Sequence, residues 1–170
     1  MPKLIRDGTL AEDGWQVIRL EEGQSVASVA LDQDHIIVPL SVWKARREEL
    51  AHRKSIGIWL ADTEGPELIS DDLRIFKVVA IDFPKFVNGR GYSSAALLRT
   101  RYGYRGELRA IGDVLRDQLF YMSRVGFDTF ALREDQSVED ALKSLNDFSV
   151  TYQGATDKPE PLFRRISRGG

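Results

Sequence analysis

The stretch Asp82-Phe83-Pro84-Lys85-Phe86-Val87-Asn88-Gly89-Arg90-Gly91-Tyr92-Ser93-Ser94 gathers residue types that suit an anion. Its two glycines and asparagine permit tight turns and left-handed backbone. Lys85 and Arg90 supply full positive charges. The stretch runs into a periodic segment that reads as a helix, whose first N–H groups and positive dipole end favour a negative group. From Lys85 to Arg109 six residues are basic and one, Glu107, is acidic, which predicts a locally positive edge. The ligand chemistry this predicts is phosphate, sulfate or a carboxylate, held by Lys85, Asn88, Gly89, Arg90, Gly91, Ser93 and Asp113. A plainer account of the same residues is a turn at Asn88-Gly89, with the arginines solvated or paired to Asp82, Asp113 and Glu134.

A dinucleotide fingerprint is half present. Gly89-Arg90-Gly91 supplies two glycines, but Ser94 stands where a third small residue belongs, and the turn after Asp82 is too long. Asp113 lies downstream at about the spacing of a ribose contact.

Asp113, Asp117 and Gln118 are the candidates for catalysis. The spacing predicts a helix over 114–125, with Val114, Leu115, Leu119, Met122 and Val125 as its apolar stripe. Asp113 and Asp117 fall one turn apart, where carboxylates can exchange protons, bind Mg²⁺ or cap the helix. Gln118 falls within the stripe. A buried amide needs partners or costs about 1–3 kcal/mol, so Gln118 either ties strand ends together or touches a ligand. No third ligand accompanies the two carboxylates, so no metal is expected. His35 and His52 are assigned to structure or surface, and no activated nucleophile motif is present.

The composition narrows the chemistry further. The 170 residues hold no cysteine, which excludes disulfides, thiolate catalysis and Cys-held zinc or iron–sulfur sites. The net charge of −2 gives no global field for nucleic acid or anionic membrane. Apolar residues at 42% and charged residues at 29% fit a globular chain of about one domain. No long apolar run or apolar N-terminal core appears, so a cytoplasmic protein without membrane segments is expected.

The elements that must position these residues follow from periodicity. The pattern changes near residue 55, dividing the chain into an irregular β/α extension (1–54), a βα core (55–150) and a loosely packed tail (151–170). In the extension, 15–20, 26–31 and 36–38 read as strand pieces. A surface helix follows over 42–53, with Ser41 as N-cap. In the core, strands are expected over 56–60, 78–81, 107–111 and 127–132. A short helical crossover is expected over 71–76, and helices over 93–102, 114–125 and from Ser137 to 148. Gly103 and Gly126 stop two of these helices. Arg99, Arg101 and Arg105 fall off the apolar stripe or beyond it and read as solvated, or as contacts for an acidic partner protein. Alternating strands and helices predict an α/β fold with a mainly parallel sheet of consecutive βα units, either a small doubly wound sheet or a partial βα barrel. Right-handed crossovers would place the strand-to-helix loops at one edge, where such folds bind ligands.

The block Phe83 to Ser93, followed by Leu97-Leu98-Arg99, Gly106-Glu107-Leu108-Arg109-Ala110-Ile111-Gly112-Asp113-Val114-Leu115-Arg116-Asp117-Gln118-Leu119 and Arg124-Val125-Gly126-Phe127-Asp128, resembles the bacterial domain-of-unknown-function family 934. The resemblance covers about residues 36–148. Members usually carry Asp where this chain has Asn88, and often Cys where it has Val125. Such proteins are often labelled "probable oxidoreductase", and their genes tend to neighbour those of the sulfite/nitrite reductase haemoprotein and the reductase of activated sulfate. The resemblance thus implies an accessory role in assimilatory sulfite or sulfate reduction. The expectation is a protein that binds a small anionic ligand or docks on that haemoprotein, without nucleic acid, and compatible with a homo-oligomer. The alternative is an oxidoreductase-like enzyme using NAD(P), a flavin or another phosphate-bearing cofactor.

Overall fold

The computed structural model describes residues 2–85 and 90–156, and only the backbone of 148–156. Its strands are β1 (Lys3–Arg6), β2 (Thr9–Glu12), β3 (Gln16–Val17), β4 (Ile36–Pro39), β5 (Ile56–Ala61), β6 (Val78–Phe83), β7 (Glu107–Gly112) and β8 (Thr129–Phe130). Its α-helices are α1 (Leu40–Leu50), α2 (Arg90–Thr100), α3 (Leu119–Val125) and α4 (Val138–Thr156). All the strands join one sheet in the order β2-β1-β8-β7-β6-β5-β4-β3. Neighbours from β3 through β8 are parallel, while β1 is antiparallel to both β8 and β2. From β3 to β8 the order follows the chain, without the reversal that a doubly wound sheet requires.

Chain connectivity forces the sheet to curl. The two edge strands, β2 and β3, are separated by residues 13–15 alone. That connection lets the chain span at most about 14 Å from Glu12 to Gln16. Eight flat strands would place the edges roughly 34 Å apart. The sheet is therefore a curled half-barrel, unpaired between β2 and β3.

The two faces of the curl differ. All four α-helices pack on one face, over Ile36, Val38, Ile58, Leu60, Val79, Ile81, Leu108, Ala110 and Phe130. The other face carries Ile37, Val78, Ala80 and Ile111, with Trp15, Val17, Trp59 and Ala131 against them. Central strands covered on both faces need no polar alternation, which accounts for the unbroken apolar run of β6. Arg109 is fully buried on the interior face. Its Nε donates to Glu107 Oε2 at 2.8 Å and its Nη1 to Asp13 Oδ1 at 2.9 Å. Arg6 Nε reaches the other oxygen of Glu107 at 3.1 Å.

Several expectations change. β1 and β2 form an unexpected hairpin around Asp7-Gly8, both with positive φ (52° and 78°), as a two-residue I′ turn requires. Residues 26–31 are not a strand; Arg46 donates to the Val26 and Val29 carbonyls, and Arg53 to those of Leu31 and Gln33, so side chains satisfy this segment. Within 15–20 only Gln16–Val17 is strand. α1 begins directly after β4 with Pro39, not Ser41, as its N-cap, and buries Leu40, Val42, Trp43 and Leu50. The expected crossover over 71–76 is reduced to two 3₁₀ turns, Pro66–Leu68 and Ser70–Asp72. The expected strand over 127–132 pairs only at Thr129–Phe130. The expected helix over 114–125 divides into a 3₁₀ turn, Arg116–Gln118, and α3.

α4 extends past 148 to Thr156; the tail beyond it lies outside the described residues. Among the described residues, no helix is long and apolar enough to cross a membrane.

Arg99 corrects another expectation. It is buried, with Nε donating to Gly126 O at 3.0 Å and Nη1 to the Tyr104 and Gly106 carbonyls at 2.8 and 2.9 Å. Its Nη2 donates to Asp128 Oδ2 at 2.8 Å. The chain returning after α2 and α3 supplies these acceptors, so position relative to α2's apolar stripe does not decide the burial of Arg99.

Candidate functional site

The carboxyl ends of β5 to β8 form one rim. Register places Ala61 beside Asp82, Asp82 beside Ile111, and Phe83 beside Gly112. Ile81 and Phe83 belong to the helix-side core, so alternation turns Asp82 inward. There Arg19 grips it bidentately, Nη2 to Oδ1 at 2.8 Å and Nη1 to Oδ2 at 3.1 Å. The guanidinium carbon of Arg19 lies 5.0 Å from the Trp59 ring centroid, and Trp59 Nε1 donates to Ile18 O at 2.9 Å. Hydrogen bonding to Asp82, opposed by burial, raises the Arg19 pKa above its ordinary value.

A second arginine organises the next part of the rim. Arg133 Nη1 donates to Asp113 Oδ1 at 3.0 Å, while Nε and Nη2 bind Asp135 at 2.5 and 2.7 Å. These bonds raise the Arg133 pKa, the Asp135 bond foremost, and Arg133 in turn lowers that of Asp135. An open polar cleft of about 420 Å³ lies here, lined by Arg116, Asp117, Arg133, Asp135, Gln136 and Ser137 among others. Arg116 N donates to Gln136 Oε1 at 3.2 Å, joining the cleft's two walls. Ser137 caps α4 as expected, its Oγ accepting from Asp140 N at 3.2 Å.

Residues 57–163 match the family described as bacterial protein of unknown function, DUF934. The chain belongs to that family. The matched region starts in β5 and takes in the whole rim from β5 to β8. No curated protein and no solved structure matches the chain.

The rim of this DUF934 protein places the sequence-derived candidates unevenly. Lys85, Arg90 and Ser93 are exposed at or just after the carboxyl end of β6. Asn88 and Gly89 lie outside the described residues. Gly91 is buried against Phe83; a Cβ there would lie 2.6 Å from a ring carbon, so a close approach selects the glycine. Asp113 shares the rim with Lys85, because Phe83 and Gly112 are cross-strand neighbours. Among the described residues no ion pair joins Lys85 to Asp113; the partner of Asp113 is Arg133. Asp117 is exposed in the cleft. Gln118 accepts from Leu115 N at 3.2 Å, so its amide oxygen closes the 3₁₀ turn.

The predicted positive edge breaks up. Arg99 and Arg109 are buried and paired to Asp128, Glu107 and Asp13. Arg101 and Arg105 lie between α2 and β7, at the opposite end of the sheet. Lys85 and Arg90 are what remains of the six at the carboxyl rim. Sequence reasoning missed Arg19 and Trp59 as rim residues and gave Asp62 and Arg133 no individual role. Asp62, the first residue after β5, is buried, and its Oδ2 has no hydrogen-bond partner among the described residues. Among those residues no group of three or more His, Asp or Glu side chains is arranged to hold a metal ion.

Proposed function

We propose that this DUF934 protein is an accessory component of assimilatory sulfite or sulfate reduction, located in the cytoplasm, that binds a small oxyanion or phosphorylated ligand at its carboxyl rim. In this reading the region from β5 to α4 is a partial barrel of successive βα units, with the ligand over the strand ends where such folds bind. Lys85, Arg90 and Ser93 supply exposed cationic and hydroxyl donors, and Asn88, Gly89 and the start of α2 supply the approach. The observation that favours binding over catalysis is the commitment of two of the three catalytic candidates, Asp117 being exposed in the cleft. Asp113 is ion-paired to Arg133, and the Gln118 amide oxygen closes a backbone turn. A general acid or base must instead present its proton site to substrate.

The experiment is a thermal-shift screen with sulfate, sulfite, adenosine phosphosulfates, NAD(P)H and FMN. A ligand at one hundred times its Kd adds about 2.7 kcal/mol of stability. An oxyanion should stabilise the native chain, and Lys85→Ala with Arg90→Ala should abolish that gain while leaving the ligand-free melting point nearly unchanged. Stabilisation by NAD(P)H or FMN alone would transfer the case to the oxidoreductase-like enzyme. Stabilisation by no small molecule, with co-purification of the sulfite reductase haemoprotein, would make the rim a docking edge.

A further inference from the structure

A separate cleft lies at the amino end of the sheet. It has a volume of about 390 Å³ and is lined by Asp34, His35, Arg53, Lys54 and Ser55. These residues immediately precede β4 and β5, which pair in parallel from Ile36 against Ile56. The volume falls within the roughly 300–1,000 Å³ of small-ligand pockets. Arg53 and Lys54 carry positive charge at neutral pH, Ser55 offers a hydroxyl, and His35 adds a positive charge when protonated. Asp34 is the acidic residue of the lining.

Two of these groups are held in place by the fold. Arg53 Nη1 donates to Gln33 O at 3.0 Å, and Nη2 donates to Leu31 O. These bonds orient the planar fork yet leave it other N–H groups, because a guanidinium has five. The His35 ring packs on Trp15, with centroids 5.1 Å apart and a 57° tilt. Its carbonyl accepts from Gln16 N at 2.9 Å, fixing the backbone beside β3. Oriented cations in a concavity give charge-assisted hydrogen bonds at reduced ordering cost.

We propose that this cleft binds a doubly charged tetrahedral oxyanion, phosphate or sulfate, through Arg53, Lys54, His35 and Ser55, at a site separate from the carboxyl rim. Protonated His35 strengthens binding. By reciprocity, the anion must favour protonation of His35.

Proton NMR of the full chain tests this, because the sequence holds only His35 and His52. A His52→Gln variant assigns the two signals. At matched ionic strength, replacing chloride with inorganic sulfate should raise the His35 titration midpoint and leave that of His52 in place. A rise of about half a unit corresponds to roughly threefold tighter binding to the protonated form. Lys54→Ala should diminish the rise, with an unchanged His52 signal reporting an intact fold. Adenosine monophosphate acting on His35 at lower concentration than inorganic phosphate would identify a nucleotide's phosphate as the source; the reverse would identify the free ion. No movement of His35, or equal movement of both histidines, would overturn the proposal. The His35 response should also survive Lys85→Ala with Arg90→Ala, and its loss there would refute a separate site.

Discussion

Arg99 and Arg109 are both buried, on opposite faces of one sheet, and they are accommodated differently. On the helix side, each nitrogen of the Arg99 guanidinium has an acceptor: three backbone carbonyls and Asp128 Oδ2. Asp128 is itself satisfied, its Oδ1 accepting from Leu108 N at 3.2 Å and from Thr129 Oγ1 at 2.9 Å. In the interior of the curl, Arg109 pairs with Glu107 and Asp13, but its Nη2 has no hydrogen-bond partner among the described residues. The helix face closes its polar groups with backbone carbonyls, fixing how α2, α3 and β8 meet. The interior relies on four charged side chains from distant parts of the chain, Arg6, Asp13, Glu107 and Arg109, and leaves one donor over.

That difference makes a quantitative claim. Arg99→Met should destabilise by about 3–5 kcal/mol, because it strands the buried Asp128 carboxylate and leaves three carbonyls without their donor. Urea unfolding at neutral pH measures this, and Arg99→Lys should recover only part of the loss, because an ammonium cannot span the acceptors. Arg109→Met should cost clearly less. It removes a donor that is already unsatisfied, which returns part of a penalty of about 1–3 kcal/mol, and Arg6 still holds Glu107. Equal costs for the two variants would break the comparison and mean that Arg109 Nη2 is satisfied from outside the chain.

The contrast also accounts for what the sequence revealed. Strands β5, β6 and β7 were legible because burial on both faces leaves an apolar signature in each strand. Ser137 at the start of α4 was legible because a cap is a local hydrogen bond. The Asp7-Gly8 hairpin was equally local; its signal lay between Leu4-Ile5 and Leu10 and was passed over. Arg99 could not be read from pattern. Its acceptors are mainly carbonyls, which every residue possesses, and they reach it from Tyr104, Gly106 and Gly126 only once the chain has folded. Arg19 was hidden for a related reason: Asp82 lies 63 residues away, and the curl of the sheet brings the two together. At the site, Asp113 was picked out correctly as a rim residue, but its role depends on Arg133, which periodicity assigned to a loop. The predicted basic edge failed because linear charge counting ignored the direction of α2, which carries Arg101 and Arg105 to the far end.

A third arginine–carboxylate pair, near the surface, extends the comparison to its weakest case. Arg47 Nη2 donates to Asp72 Oδ1 at 2.7 Å, and Trp43 Nε1 donates to Asp72 Oδ2 at 3.0 Å. The Arg47 bond foremost holds the Asp72 pKa below the ordinary carboxylate value; burial opposes it, and the Trp43 bond adds a lesser lowering. A carboxyl group with a depressed native pKa stabilises the fold above its unfolded pKa of about 3.9, and that contribution fades as the pH falls through the native value. Asp72→Asn should therefore have a smaller effect at neutral pH than either buried-arginine variant. Its difference from the native chain should begin to narrow below about pH 4, where Asp72 of the unfolded chain takes up a proton, and close as the pH falls through the depressed native value. Urea midpoints of both chains at pH 7 and in acid decide the matter. A difference that stays constant across that range would show that packing around Trp43, not ionisation of Asp72, carries the contribution.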